Sequence, residues 1–518
     1  MRPEDAPSLK LSRRVSSLSD RRLHKNISAS WLGLGTEVIV GVFLTPFVLH
    51  RIGATQFGVW VLVTAFTGYY GLLDLGTRNA ITRFVARHNA RHDVDALNAT
   101  VSTAFAAYLV VSTIALVLTT GAALTAGRIF RIEAPLVPIA VQVIVAVGIG
   151  TALGFPLSIF GGILEGLQRF TTVGLVQAVM IMCRALVIVG ALQRGGSVVA
   201  VAIITTVGNV LAGALHAYFA YRAYPGLRIR VTGARRERLR ELADFGLVTF
   251  WIGIANRLRF QTDALVIGAL IAVTQVATFA IAARLVTYAT EIVATMASVF
   301  TPIFTDLHAR NARGDLILAL QRGNLYSSFL AVPIAAGIVL FGRNIIRLWV
   351  GAAYDTSAPL MIIIGIPTCA YVAQSASTRV LYGVARHQFL AKVLLCEGLA
   401  NLVLSCALAP RLGLLGVALG TAIPLLVTSC AVIPIHVSRT LEISIREYCI
   451  SFVAPVLAGI PLIVFWTLTA ILQGAAAAPA LLLTITGGGL VYIGGFALLI
   501  KVAPFLLAHT RVQPQVSA

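Results

Sequence analysis

Charged residues are scarce in this chain, and acidic side chains are half as numerous as basic ones. Only 12% of the 518 residues are charged, with 20 acidic against 40 basic side chains, while 58% are hydrophobic. A soluble domain is typically about a quarter charged. The chain therefore has too little polar surface to coat a water-soluble globule of its size, and the composition indicates a membrane protein.

Cysteine, lysine and recognisable catalytic motifs are also rare. The six cysteines lie in apolar runs with no close CxxC pair, which gives no indication of a disulfide framework or a metal site. No nucleotide, metal or nucleophile motif is present, so neither a cofactor nor an enzyme activity is expected. Lysine occurs 4 times against 36 arginines, which is typical of a high-GC, bacterial genome. Glu37 interrupts the first apolar run and no A-x-A-like site follows, so we expect a retained helix there.

Long apolar runs, each able to cross a bilayer as a helix of about 20 residues, recur along the chain. They predict an all-α polytopic fold with fourteen transmembrane helices. The predicted spans are 28–49, 57–76, 98–126, 135–165, 170–192, 197–221, 245–271, 273–303, 325–341, 357–383, 390–409, 414–437, 447–472 and 478–503.

Basic residues gather on one side of these spans. With a cytoplasmic N-terminus, the cytoplasmic loops and tails carry 28 lysines and arginines and the opposite side carries 7. This asymmetry predicts that both termini are cytoplasmic, in a bacterial inner (plasma) membrane. It also accounts for the net charge of +20 without nucleic acid as a partner. The arginines from Arg78 to Arg91 hold one such loop in the cytoplasm, where they can contact anionic lipid.

Short fragments return at an offset of about 220 residues. Asn89-Ala90-Arg91 recurs as Asn311-Ala312-Arg313, and Thr55-Gln56 recurs as Thr274-Gln275. The matches predict two six-helix halves in the same orientation, related by an axis along the membrane normal. The predicted segments are a basic tail (1–24), a first lobe (25–222), a basic inter-lobe loop (223–244), a second lobe (245–438) and two extra helices with a tail (439–518).

Ionisable residues inside predicted spans are costly and usually face a cavity or a partner. The seventh span carries Arg257, Arg259 and Asp263, and the eighth carries Arg284 and Glu291. Arg257 and Arg284 have no acid three or four residues away, so we expect them to line a cavity. Arg259 and Asp263 are spaced as i and i+4 neighbours, which favours a structural ion pair.

Other polar residues in the spans have simpler explanations. Glu37 could partner one of the second-lobe arginines across a cavity, and Arg184 is as well explained by a structural role as by a site. Asp74 favours a structural role at a helix end. Glu397, near a predicted helix end, is expected to snorkel or pair locally, and so are Arg379 and Glu165. His216 is expected to be a satisfied packing residue.

Two motifs resemble Wzx-type polysaccharide flippases of the multidrug/oligosaccharidyl-lipid/polysaccharide exporter (MOP) superfamily. The stretch QFGVWVLVTAFTGYYGLLDLGTRNAITRFVA, residues 56–86, is similar to that family's second-helix signature. GILEGLQRF, residues 162–170, is similar to its loop after the fourth helix. The resemblance implies two six-helix lobes around a cavity lined largely by helices one, two, seven and eight. It also implies movement of an undecaprenyl-pyrophosphate-linked oligosaccharide to the outer leaflet.

Within this hypothesis, Arg257, Arg259 and Arg284 would receive the pyrophosphate, and Glu37, Asp263 and Glu291 would be acids of the cavity. The partners would be the lipid-linked substrate and membrane lipid. A glycan polymerase could act with the protein, which we expect to be a monomer. The alternatives are a multidrug or cation antiporter of the same superfamily, a lipid II flippase, or a membrane-bound glycan polymerase or ligase. Three arginines in two helices disfavour the antiporter, and short outer loops disfavour the enzyme.

Overall fold

The fold is a bundle of α-helices, seen in a computed structural model that describes residues 7–233, 235–384, 386–473 and 478–502. The ends of both predicted tails, 1–6 and 503–518, lie outside these residues. The helices are α1 Pro7–Gly68, α2 Thr77–Ala90, α3 Val94–Ile129, α4 Val137–Gly166, α5 Phe170–Gln193, α6 Val198–Ala223, α7 Arg236–Phe260, α8 Thr262–Leu270, α9 Val273–Ser298, α10 Phe300–Ala309, α11 Arg313–Val350, α12 Ser357–Ala373, α13 Ser375–Gly383, α14 His387–Leu412, α15 Leu414–Val427, α16 Ile433–Leu441, α17 Ile445–Gln473 and α18 Ala478–Val502.

These helices confirm the all-α polytopic fold. Among the described residues, eleven are long and apolar enough to cross a membrane, or twelve if the bent pair α12 and α13 is one span. The expected count of fourteen stays a prediction, and the difference arises at two places. Predicted spans one and two form one 40-residue candidate interrupted at Gly53 (φ 79°). Predicted span seven is divided at Gln261 between α7 and α8.

Large apolar side chains on the outside of the bundle agree with a lipid environment. Phe43, Leu124, Leu186 and Leu483 each expose more than 70% of their surface. A soluble protein rarely leaves so many large apolar groups in contact with water. The protein is therefore a multi-pass membrane protein.

The chain divides into two compact units. The first contains Met1–Ile129 and Glu133–Phe250, and the second contains Phe130–Ile132 and Trp251–Ala518. Each unit has its own buried apolar clusters, one built on α2, α3 and α4 and another on α10, α11, α13 and α14. The predicted lobe boundaries and the parallel repeat stay predictions.

The GLLDLG stretch of the first unit is a tight connection between α1 and α2. A 3₁₀ turn over Tyr69–Asp74 is followed by two left-handed residues, Leu75 (φ 48°) and Gly76 (φ 70°). Glycine adopts this conformation at little cost. The Asp74 carboxylate accepts a hydrogen bond from the Tyr108 hydroxyl on α3, so Asp74 fixes this turn against the next helix.

The first five residues of the second motif, GILEG, pack directly on α2, the helix that contains the end of the first motif. A Cβ atom added at Gly166 would lie 2.8 Å from the Thr82 carbonyl oxygen and 2.8 Å from the Val85 Cβ. Glycine therefore lets α4 approach the α2 backbone closely. Between the two glycines of the motif, Glu165 binds Arg78 with an N–O distance of 2.7 Å. The two family motifs thus form a single helix contact.

The basic inter-lobe loop is attached to α3 by hydrogen bonds from polar side chains one helical turn apart. These hydrogen bonds are Asn98 Nδ2 to the Gly226 carbonyl (2.9 Å), the Arg228 amide to Asn98 Oδ1 (2.8 Å), the Arg230 amide to Ser102 Oγ (3.1 Å) and the Arg235 amide to Thr103 Oγ1 (3.0 Å). Because Asn98 and Ser102 are i and i+4 neighbours, they lie on one face of the helix. The loop backbone is therefore held along this face.

We expect Asn98→Ala to expose the loop to protease. The change removes two hydrogen bonds, each worth about 1 kcal/mol net, and local opening should become about 30-fold more frequent. The measurement is limited trypsin digestion of the purified protein, with cleavage at the loop arginines followed by mass spectrometry. Asn79→Ala, an exposed position on α2, is the control. Equal cleavage rates for the two variants would show that Asn98 does not hold the loop.

In the second unit, the chain bends by 46° between α12 and α13. Gln374 at the bend donates to the Ser429 carbonyl at 2.6 Å and accepts from the Tyr448 hydroxyl at 2.7 Å. The Ser429 carbonyl belongs to a π-helical segment, Thr428–Val432. Breaks of this kind are tolerated in a membrane because neighbouring side chains satisfy the backbone groups that are released.

The helices α14 and α15 form a close antiparallel pair through two glycines four residues apart. A Cβ at Gly416 would lie 2.5 Å from the Leu408 carbonyl oxygen, and one at Gly420 would lie 2.6 Å from the Ser405 backbone nitrogen. Small residues with this spacing allow helix backbones to meet in a membrane.

The last two helices, α17 and α18, pack on α11 through aromatic contacts. Trp466 meets Phe341 edge-on at 5.3 Å, and Tyr492 stacks on Phe329 at 4.8 Å. Through α11, the two extra helices are attached to the core of the second unit.

Candidate functional site

A buried ion pair lies between α7 and α14 in the second unit. Arg259 Nε is 2.7 Å from Glu397 Oε1, and the two side chains expose only 4% and 2% of their surface. The Arg259 guanidinium also lies over the Tyr371 ring, 3.9 Å from its centroid. The cation therefore has two partners, a carboxylate at its Nε atom and an aromatic ring over its plane.

This arrangement differs from the expected Arg259–Asp263 pair. Helix α7 ends at Phe260 and α8 begins at Thr262, with Gln261 between them at φ −118°. The i,i+4 geometry of a continuous helix does not apply across this break. The expectation for Glu397 was also wrong, because it is 5% exposed and pairs with a residue of another helix.

Asp263 belongs to a separate buried network on the other side of the break. Its carboxylate accepts from Thr421 Oγ1 at 2.9 and 3.0 Å. Asn401 donates to the Arg259 carbonyl at 3.3 Å and accepts from Ser405 Oγ at 2.9 Å. The network joins α8, α14 and α15 at the level where α7 is interrupted, so it compensates for the interrupted backbone of the helix.

Arg284 has a different environment, because its side chain is exposed on α9. Its guanidinium lies 5.9 Å from the centroid of the Tyr288 ring, one turn further along the helix. Tyr288 in turn meets Trp349 edge-on at 6.5 Å. Arg257 and Glu291 are half-buried, and each makes contacts within the protein. Of the three predicted arginines, Arg259 is therefore buried, Arg257 half-buried and Arg284 exposed.

The first unit contains a polar cavity of about 330 Å³. It lies among α1, α4, α5 and α6, and its polar lining consists of Glu37, Ser158, Gln177, Arg184, Asn209 and His216. Within an apolar helix bundle, such a group marks a place where water or a polar ligand is accommodated. Glu37 thus shares a cavity with Arg184 of its own unit.

The cavity residues hold one another in place. Arg184 donates from Nη1 to Asn209 Oδ1 at 2.9 Å. Its aliphatic stem packs over Gly208, where a Cβ would lie 3.4 Å from the Arg184 Cδ. His216 Nε2 is buried and has no hydrogen-bond partner among the described residues, whereas the ring also interacts with the Val173 backbone. The expected packing role of His216 stays a prediction.

Sequence reasoning missed most partners in these clusters. Glu397, Asn401 and Thr421 are ordinary residues in apolar runs, and only a fold brings them to Arg259 and Asp263. One signal was available, since Arg259 and Glu397 are opposite charges in separate predicted spans. Tyr371 carried no signal at all.

Comparison with known sequences identifies the family. Residues 23–308, more than half of the chain, match the family described as Polysaccharide biosynthesis protein. The chain is also similar to the Uncharacterized membrane protein EpsK of Bacillus subtilis (strain 168). The two are 24% identical over 423 residues, which cover 80% of this chain and 83% of that protein.

Comparison with solved structures identifies the fold. An inward closed conformation of the lipid II flippase MurJ superposes with a TM-score of 0.71 at 12% identity, covering 93% of this chain and 99% of that one. An inward-facing multidrug resistance MATE family transporter of the MOP superfamily superposes with a TM-score of 0.64 at 15% identity, covering 81% and 98%. The chain belongs to the polysaccharide biosynthesis protein family, and its fold is that of the lipid II flippase MurJ and of the MATE family transporters of the MOP superfamily.

Proposed function

We propose that this protein is a flippase for an undecaprenyl-pyrophosphate-linked oligosaccharide, moving it from the cytoplasmic to the outer leaflet. Family membership gives the connection to polysaccharide synthesis. The single structural observation that carries the proposal is the exposed guanidinium of Arg284 in an apolar span. A diphosphate is the part of such a substrate that a guanidinium binds most strongly.

The depth of Arg284 supports this assignment. It lies eleven residues from Val273, the first residue of α9, which corresponds to about 17 Å along the axis. That is near the middle of a hydrocarbon core of about 30 Å. An arginine there is expensive in contact with lipid, so an exposed one is expected to face water or substrate. Tyr288 beside it holds the side chain through its ring face.

The three predicted arginines take different parts in the proposal. Arg284 and Arg257 are the groups we assign to the pyrophosphate. Arg259 is already satisfied by Glu397 and Tyr371, so it joins the site only if Glu397 releases it. Of the proposed cavity acids, Glu291 lies two turns along α9 from Arg284, on the same face. Asp263 and Glu37 lie in separate polar clusters.

The proposal also includes a topology, an oligomeric state and a driving force. Both termini are placed in the cytoplasm of the bacterial inner membrane, and the protein acts as a monomer. The halves 25–222 and 245–438 are placed as parallel repeats. A potential that is negative inside favours outward movement of an anion by about 2.3 kcal/mol per charge per 100 mV. For a doubly charged diphosphate, a potential of about 100 mV therefore favours outward movement by about 4–5 kcal/mol without a coupled ion.

Replacement of Arg284 tests the substrate assignment. Arg284→Ala removes charge and planar hydrogen bonding, and Arg284→Lys keeps only the charge. A charge-assisted contact is worth about 1.5–3 kcal/mol, so Arg284→Ala is expected to reduce transport about 10- to 100-fold. The Lys variant should lie between Ala and the wild type. The measurement is transfer of a lipid-linked oligosaccharide across proteoliposome membranes, with protein content determined separately.

Arg411→Ala is the matched control, because Arg411 is an exposed arginine of the same unit at the end of α14. It is expected to transport normally. Full transport by Arg284→Ala at normal protein content would refute the proposed role of Arg284. If the wild type moves lipid II but no other lipid-linked glycan, the lipid II alternative replaces the proposal. If it moves only organic cations, the antiporter alternative does.

A further inference from the structure

We infer that the first unit binds a lipid phosphate group in a pocket at one end of α4, α5 and α6. The pocket has a volume of about 420 Å³ and is separate from the polar cavity around Arg184. Its lining residues are Leu164, Arg169, Thr172, Phe219, Arg222 and Ala223.

Two arginines give the pocket its charge. Arg169 immediately precedes α5, and Arg222 lies in the last turn of α6. Both side chains are exposed, and in the described part of the chain neither forms an ion pair. The nearest acid in the sequence, Glu165, is already bound to Arg78. Two guanidinium groups at one pocket, with no acid of the described residues bound to either, favour an anion with several acceptor oxygens, such as a phosphate.

A hydroxyl group and the start of α5 lie at the same pocket. Helix α5 begins at Phe170 with no side chain capping its first amides, and Thr172 in its first turn lines the pocket. The amides of Thr172 and Val173 already donate to the Arg169 carbonyl, so the helix start contributes only the partial positive charge of its remaining amides, which favours anions. This contribution adds to that of the arginines, which carry the argument.

The remaining walls are apolar, which selects a lipid over a free anion. Leu164, Phe219 and Ala223 line the pocket beside the arginines, and Leu164 is fully buried beneath it. On the outside of α6, near the same end, Tyr218 and Tyr221 expose 57% and 44% of their surface. Exposed tyrosines are typical of the headgroup level of a bilayer. A headgroup phosphate can therefore reach the arginines while its chain stays in the hydrocarbon.

The pocket lies at the membrane face to which the charge distribution assigns the cytoplasm. Arg169 and Arg222 both belong to the side that carries 28 of the basic residues. Two lipids share the required chemistry there. One is an anionic phospholipid that stabilises the unit, and the other is the polyprenyl pyrophosphate of the substrate before it is moved.

The test is lipid retention by the purified full-length protein, measured by native mass spectrometry with phosphatidylglycerol. The site variant is Arg169→Gln/Arg222→Gln. The control is Arg128→Gln/Arg194→Gln, which removes the same charge. These two exposed arginines lie at the C-terminal ends of α3 and α5, whereas the pocket lies at the N-terminal end of α5. The site variant should bind phosphatidylglycerol at least about tenfold more weakly than the wild type and the control. Added salt should weaken binding to the wild type.

A pocket-filling variant separates the pocket from general surface charge. Ala223→Trp retains both arginines and is expected to lose lipid as well. Undecaprenyl pyrophosphate is then added as a competitor. If it displaces phosphatidylglycerol from the wild type at lower concentration than phosphatidylethanolamine does, the substrate lipid is the ligand. If it does not, the ligand is an anionic phospholipid. Equal phosphatidylglycerol retention by the site variant, the control and the wild type would overturn the inference.

Discussion

Glu397→Ala is expected to lower the free energy of unfolding of the second unit by about 3–5 kcal/mol. The change leaves the Arg259 guanidinium buried, at 4% exposure, without its carboxylate 2.7 Å away. The Tyr371 ring remains and offsets a small part of the loss. The measurement is reversible unfolding of the purified protein in mixed detergent micelles, compared with the wild type.

A double-mutant cycle separates the pair from its two members. Arg259→Met/Glu397→Leu removes both charges and should cost less than Glu397→Ala alone, because no unpaired charge remains. The matched control is Asp306→Ala, which breaks the Arg310–Asp306 pair at 71% and 54% exposure. That pair should contribute less than about 1 kcal/mol. A cost for Glu397→Ala no larger than for Asp306→Ala would refute the structural role of Glu397.

The second large effect is expected at the α14–α15 contact. Gly416→Ala and Gly420→Ala each place a Cβ within 2.6 Å of backbone atoms of α14. Backbone cannot move away as a side chain can, so the helices must separate. Overpacking of this kind costs about 1–3 kcal/mol per site. The combined variant is expected to lose more than either single variant and to disturb the Asp263–Thr421 contact on the same helix pair. Thermal unfolding of the purified protein measures the loss.

Gly489→Ala is the matched control, since a Cβ there meets nothing within 4 Å. Alanine also has the higher helix propensity, so this variant should be as stable as the wild type or slightly more stable. If Gly420→Ala behaves like Gly489→Ala, the close approach of α14 and α15 is not a source of stability.

The position of Gly420 also bears on function. Thr421 follows it directly and holds Asp263 at the interruption between α7 and α8. A helix pair that moves apart at Gly420 therefore changes the surroundings of the segment that carries Arg257 and Arg259. Loss of transport by a variant at this position would reflect altered packing, so it is not evidence for a substrate contact.

The sequence by itself determined the class of the protein. With 12% charged residues and long apolar runs, no soluble arrangement could bury enough of the chain. The second-helix stretch and the GILEGLQRF motif carried the family resemblance, which the family match confirms. These features are local in the chain, since a span or a motif is a run of neighbouring residues. Residue types that are costly in lipid also identified Arg284 as a site candidate.

The tertiary structure alone decided which buried charges are paired and which groups share a cavity. Sequence spacing placed Arg259 with Asp263, but the interruption at Gln261 turned them to different partners, Glu397 and Thr421. The tertiary structure likewise brought Glu37 and Arg184 into one cavity. Such pairings depend on how separate helices meet, and helix contacts in a membrane arise from small residues and shape complementarity, which leave little trace in the hydrophobic pattern.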